Sequence, residues 1–258
     1  MGVSQSSPSD PGASESETSI DPAEPIRQVR AILLHLGLPA ELVLDIMELA
    51  EYYAIVKAER TDGVTLRADQ HTHMDHCSAL LYLVTPPLPD CKEGESWRAK
   101  KVVWVIEGHD QGWGGQHPGT FHGAYSWYEA CIFRSRPGET DSDSAADAEF
   151  LDTHNLYRKP EDVREEIHWD LVPNGDSFVW RVQGNRVAAR EFEQHVIEWR
   201  AGEQMDAAEA EEHGHGTGVG FVEALRPGDR VGLWMRAMYG GWRNTIAGAT
   251  VFLMYDVR

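Results

Sequence analysis

Residues 225–238 read LRPGDRVGLWMRAM, and the way this stretch divides decides the fold. Pro227 presets the first central position of a turn, Gly228 accepts a positive dihedral angle at the second, and Asp229 leads out of it. Beyond the turn the chain alternates with a period of two. Val231, Leu233, Met235 and Ala237 fall on one side of an extended backbone, Trp234 and Arg236 on the other. That pattern predicts a strand with one apolar face and a polar, aromatic outer face.

The same punctuation recurs along most of the chain. From Val64 onward, short runs rich in β-branched and aromatic residues are bounded by Gly, Pro, Asn or Asp. Strands are predicted at ALLYLVT (79–85), KVVWVIEG (101–108), AYSWYEACIFR (124–134), EIHWDLV (166–172), DSFVWRVQ (176–183), EQHVIEWR (193–200), GVGFVEAL (218–225), DRVGLWMRAM (229–238) and ATVFLMYDV (249–257). In SFVWRVQGN, Arg181 and Gln183 share a face with Val179, opposite Phe178, Trp180 and Val182. Strands that do not alternate with helices predict a mainly β fold, an antiparallel β-sandwich of jelly-roll type. The acidic run PGETDSDSAADAEF (137–150) reads as a solvated insertion near the middle of that domain.

Three regions follow from these patterns. Residues 1–24 are rich in Ser, Pro, Asp and Glu and have too few apolar side chains to offset the entropy of ordering, which predicts a disordered tail. Residues 25–60 predict a helical pair. In IRQVRAILLHLG, Ile26, Val29, Ile32, Leu33 and Leu36 recur at helical spacing before a stop at Gly37. In LPAELVLDIMELAEYYAIV, Leu42, Val43, Ile46, Met47, Leu49, Ala50 and Tyr53 make one broad apolar face. Residues 61–258 form the predicted sandwich. The stretch LPAELVLDIMELAEY also resembles the first helix of an F-box, which implies a protein partner, an adaptor docking on the helices; YYAIVKAERTDG departs from the second half of that pattern.

Composition narrows the partners. Of 258 residues 41% are hydrophobic, enough for a sizeable core without covalent staples. Lys and Arg total 23 against 42 Asp and Glu, and a net charge of -19 repels a phosphate backbone, so nucleic acid is not an expected partner. Cys77, Cys91 and Cys131 are odd in number and form no CxxC pair, which argues for a reducing compartment, cytoplasmic or nuclear. No stretch approaches the roughly 18 apolar residues of a membrane span, and the N-terminus lacks a signal-peptide pattern. Met1-Gly2 with Ser6 matches only the bare myristoylation pattern.

Two histidine segments raise metal chemistry. HTHMDH (71–76) resembles the metal-binding core of the metallo-β-lactamase superfamily, which implies His71, His73 and His76 as zinc ligands and Asp75 beside a second ion. Zinc held this way lowers the pKa of a bound water to about 7 and supplies a nucleophile for hydrolysis. The surroundings differ from that family: the segment follows VTLRADQ, runs into CSALLYLVT without a Gly-rich turn, and is preceded by predicted helices. The favoured expectation is therefore no metal cofactor, with zinc as the alternative. HGHG (213–216), after the acidic stretch EQMDAAEAEE, is predicted as a loop.

A third segment, KVVWVIEGHDQGWGGQHPGTFHGAYSWYEACIF, ends an apolar strand in charged and aromatic residues among glycines, the composition of a site carried on a rigid scaffold. Its HDQGW (109–113) and YSWYEA (125–130), followed by WRVQGN (180–185), LRPGDRV (225–231) and GGWRN (240–244), resemble in order the landmarks of a largely uncharacterised family of fungal proteins. Gly240 stands where some members carry Pro. The resemblance spans roughly residues 38–258 and implies no established reaction.

The residues themselves suggest a ligand site. Trp113, Trp127 and Trp242 offer flat platforms, while Asp110, Gln111, Arg181, Gln183, Arg236 and Asn244 offer polar partners, a combination suited to a sugar or another small molecule with polar and apolar faces. The expected function is recognition of a small-molecule or glycan ligand, or of a protein, through a pocket lined by the HDQGW and GGWRN loops. The alternative is an enzyme, either the zinc hydrolase above or a metal-free isomerase or cyclase using His109 and Asp110 as an acid-base pair. The bland reading, buried tryptophans and turn-forming Asp and Asn, stands beside both.

Overall fold

The structure is a computed structural model describing residues 21–70, 76–136, 156–165, 169–203 and 205–258. Two helices, α1 (Glu24–His35) and α2 (Ala40–Leu49), precede β1 (Ala54–Arg60), β2 (Val64–Arg67), β3 (Cys77–Val84), β4 (Trp97–His109), β5 (Ser126–Ser135) and β6 (Leu156–Tyr157). A 3₁₀ turn at Pro160–Glu165 leads to β7 (Trp169–Leu171), β8 (Trp180–Gly184) and β9 (Glu193–Arg200). Then come short helices α3 (Ala207–His213) and α4 (Phe221–Ala224), and finally β10 (Arg230–Met238) and β11 (Arg243–Val257).

The strands form two antiparallel sheets. One has the order β1-β11-β4-β9, with β2 lying beyond β1 on the same edge of β11; the other has the order β6-β3-β10-β5-β7, with β8 also on β5. Strands β1, β11, β4 and β9 facing β3, β10, β5 and β8 reproduce the interleaved pairing of two Greek keys, a jelly roll. Val102, Trp104, Ile106, Ile197, Val251 and Leu253 from the first sheet meet Tyr128, Ala130, Ile132, Val231, Leu233 and Met235 from the second in one core. The predicted inward face of β10 is thus the observed one.

The helical pair packs on the same core through Ile26, Val43 and Met47. Ion pairs hold it there: Arg27 meets Glu95 at 2.7 Å and Lys100 reaches Glu48. Most of the expected apolar face of α2 is not covered, because Leu42, Ile46 and Leu49 are exposed.

Three elements differ from expectation. The second helix does not run on through YYAIV: it stops at Leu49, Glu51 turns through φ 47°, and residues 54–60 pair with β11 from Ala54↔Tyr255 to Arg60↔Ala249. The period-two pattern of Ala54, Val56 and Ala58 outweighs the helical one there. The predicted strand at 218–225 is instead a turn and α4. Gly218 and Gly220 both adopt positive φ, which swings Phe221 into edge contacts with Trp104, Trp180 and Trp199.

The outer face of β10 is the third difference. Trp234 is not on an open polar surface. It is fully buried in a second apolar cluster with Ala79, Leu81, Cys131 and Phe133, roofed by Tyr157, Val163, Trp169 and Leu171. The predicted insertion at 137–150 lies outside the described residues, as does the predicted tail up to residue 20.

Candidate functional site

Sheet register brings the HDQGW and GGWRN loops together. His109, the last residue of β4, pairs with Thr245 of β11, so the chain after His109 and the turn before Arg243 leave the same end of the sandwich side by side. Ser126 pairs with Ala237, which places Tyr125 at that end too. The amide N–H of Arg243 donates to Gln111 Oε1 at 3.3 Å, and a Cβ built on Gly241 would stand 3.3 Å from the Trp113 ring. The expected proximity of the two loops is therefore present.

What they display is an aromatic cluster. Tyr125 meets Tyr239 edge-on at 4.6 Å and Trp242 at 5.1 Å. Trp113 is 56% exposed and Tyr239 48% exposed. Tyr239 holds φ 67°, a backbone conformation that costs a non-glycine residue about 1–3 kcal/mol and gathers at functional sites. Its N–H donates to the carbonyl of His76 at 2.8 Å, which fixes the turn against the end of the 71–76 segment. Tyr125 and Tyr239 were not among the sequence candidates. Tyr125 opens the YSWYEA landmark, and Tyr239 follows the predicted strand at 229–238.

Several candidates instead serve as buried supports. Asp110 is fully buried, and its carboxylate accepts the N–H groups of Gly112 and Ala188, each at 2.7 Å. Burial pushes its carboxyl above the usual range against the pull of those N–H groups and of His109. Gln183 is buried, and its Nε2 donates to the carbonyls of Gly184 and His213 at 2.8 and 3.1 Å. Asn244 Nδ2 donates to the carbonyls of Trp127 and Arg236 at 2.8 and 3.1 Å, while its Oδ1 accepts from Asn185 Nδ2 at 3.0 Å. Asn185 Nδ2 also donates to Ser126 Oγ. Two sequence landmarks, WRVQGN and GGWRN, thus meet through their asparagines and tie β11 of one sheet to β5 and β10 of the other. In LRPGDRV the buried Asp229 accepts two hydrogen bonds from Arg134, at 2.8 and 2.7 Å.

Trp127, Arg181 and Arg236 form a separate group on the outer face of the second sheet. Arg236 is bound by Glu129 at 2.6 Å and reaches Cys77 Sγ at 3.2 Å. Trp127 lies under both guanidinium groups.

For the acid-base reading, the His109 imidazole Nδ1 meets the backbone carbonyl of Asp110 at 2.5 Å, not its carboxylate, and the ring packs edge-on against Phe192. The pair therefore lacks the side-chain contact that such chemistry uses. For the zinc reading, His71, His73 and Asp75 lie outside the described residues; His76 is exposed with φ 45°. A two-sheet jelly roll is not the αββα layering of that superfamily. Among the described residues no group of three or more His, Cys, Asp or Glu is placed to hold a metal ion. HGHG is not a free loop: Gly214 caps α3 at φ 71°, and His215 bridges to Gln183.

No protein-family model matches the chain, and no curated protein matches it either. Among the described residues no helix is long and apolar enough to cross a membrane.

Proposed function

We propose that this protein is a recognition module whose ligand lies on the aromatic platform of Trp113, Tyr125, Tyr239 and Trp242. The observation that carries the reading is convergence: rings from the 113–125 region and from residues 239–242, more than a hundred residues later, gather, partly open to solvent, on loops anchored by Asp110 and Asn244. Rings stack on the C–H faces of a sugar, and the neighbouring Gln111 and Arg243 supply polar partners, so a glycan is the ligand class proposed. The free thiols of Cys77, Cys91 and Cys131 suit a cytosolic or nuclear setting.

The test is a glycan array followed by calorimetry. Trp113→Ala is expected to weaken the best glycan about thirty-fold, or ~2 kcal/mol, without altering the melting temperature. Absence of any array signal, or unchanged affinity in the variant, refutes the reading.

A second reading rests on a different surface. Leu36 is 71% and Leu49 87% exposed, with Ile32, Leu42 and Ile46 also open, so the helical pair presents apolar side chains that favour docking of another protein. Leu36→Asp with Leu49→Asp is expected to leave folding intact, within about 0.5 kcal/mol, and to abolish co-purification of a partner. A partner retained by the double variant rules this surface out.

A further inference from the structure

Among the described residues Arg181 carries a charge that no hydrogen bond or ion pair satisfies; only Glu129, nearby, acts on it electrostatically. Its guanidinium lies over the face of Trp127, 5.6 Å from the ring centroid. On the other side of the cluster, Arg236 stands 5.2 Å from the same ring. Glu129 is the carboxylate paired across from Arg181 in the β5–β8 ladder, and it is already committed. One oxygen accepts from Arg236 at 2.6 Å and the other from Trp127 Nε1 at 2.7 Å. One positive charge is left over on a chain of net charge -19.

Arg181 lines a recess of about 370 Å³ between the 121–124 loop, α3 and the His-Gly segment, together with Phe121, His122, Ala210, His215 and Thr217. Glycines clear the space around it. A Cβ on Gly184 would stand 2.8 Å from Arg181 Nη2, and one on Gly216 would collide with the Arg181 carbonyl. Solvent reaches the Arg181 side chain, yet the surrounding protein withdraws enough water to disfavour its charged form. Burial likewise holds His215 below the ordinary histidine range, with His213 adding to the effect.

We propose that this recess binds the oxyanion group, carboxylate or phosphate, of a small molecule, with Arg181 as its charge partner. The planar fork of arginine matches two oxygens of such a group, and the Trp127 ring beside it steadies the cation. His215 and Thr217 bring further hydrogen-bonding groups to the wall. Glu211, exposed at the rim, carries the opposing charge and tunes affinity downward. This site is distinct from the aromatic platform and stands without it.

The full chain is titrated with sodium phosphate and, separately, sodium acetate at constant ionic strength, following the Thr217 and His215 backbone amides by NMR. A saturable shift is expected with at least one anion, and which of the two gives it distinguishes a phosphate ligand from a carboxylate one. Arg181→Gln, which loses no hydrogen bond of the folded state, is expected to bind about tenfold or more weakly at unchanged melting temperature. Glu211→Gln is expected to bind about twofold more tightly. No saturable shift with either anion, or equal affinity in wild type and Arg181→Gln, overturns the proposal.

Discussion

Replacing Trp234 with alanine is expected to destabilise the fold by about 3–5 kcal/mol, among the largest costs of any single truncation in a core. The residue is wholly shielded from solvent. Its ring meets Tyr157 edge-on at 5.6 Å, and its Nε1 donates to Cys131 Sγ at 3.1 Å. Truncation would leave a cavity beneath Tyr157, Val163, Trp169 and Leu171 and remove the cluster's largest side chain on β10. For a chain of this size each kcal/mol moves the melting temperature by about 2–4 °C, so a drop of at least about 6 °C is expected. An outward-facing tryptophan on an open sheet would cost no more than about 0.5 kcal/mol. Urea unfolding of Trp234→Ala separates the two cases, and a change below 1 kcal/mol contradicts the second core.

Asn244→Ala is expected to cost about 3 kcal/mol, for a different reason. Little apolar contact is lost. The alanine leaves the carbonyl of Arg236 and the part-buried carbonyl of Trp127 without this donor and deprives the buried Asn185 Nδ2 of one acceptor. Unsatisfied buried groups of this kind cost about 1–3 kcal/mol each, partly relieved by relaxation. Asn244→Asp keeps an acceptor for Asn185 but supplies no donors to the two carbonyls and buries a charge, so it is expected to rescue nothing. Full stability of Asn244→Asp in chemical denaturation would show that the asparagine does not bridge the two sheets.

The fold was legible where one periodicity dominates. EQHVIEWR gives β9 at its observed bounds, Glu193–Arg200, because its alternation is uninterrupted. AIVKAER was hidden because it follows a helix whose apolar spacing runs into it, and only pairing with β11 settles its conformation. GVGFVEAL has a strand's composition, but two left-handed glycines make a turn of it. The burial of Trp234 could not be read from its own strand, since the cover arrives from Tyr157, Val163, Trp169 and Leu171.

The site was half legible for a related reason. Trp113 and Trp242 were found from composition and lie together. Asp110 and Asn244 carry groups a ligand would want, yet those groups are spent on partners inside the fold, as is the amide N–H of Gln183, whose Oε1 has no partner among the described residues. A sequence states which hydrogen-bonding groups a strand end carries, not whether the fold uses them first. Arg181 is the reverse case, a predicted polar partner whose hydrogen-bonding capacity the fold leaves open.

Strand β11 pairs with β1, β2 and β4, so three strands share a neighbour that is synthesised after all of them. Ala54 waits for Tyr255, and Arg30 for Asp256, before either has its native contact. Half of the sandwich therefore cannot be assembled while the ribosome is still reading the middle of the message. Contacts that span nearly the whole chain make such assembly slow, and they leave β1 and β4 as unpaired edges in need of protection meanwhile.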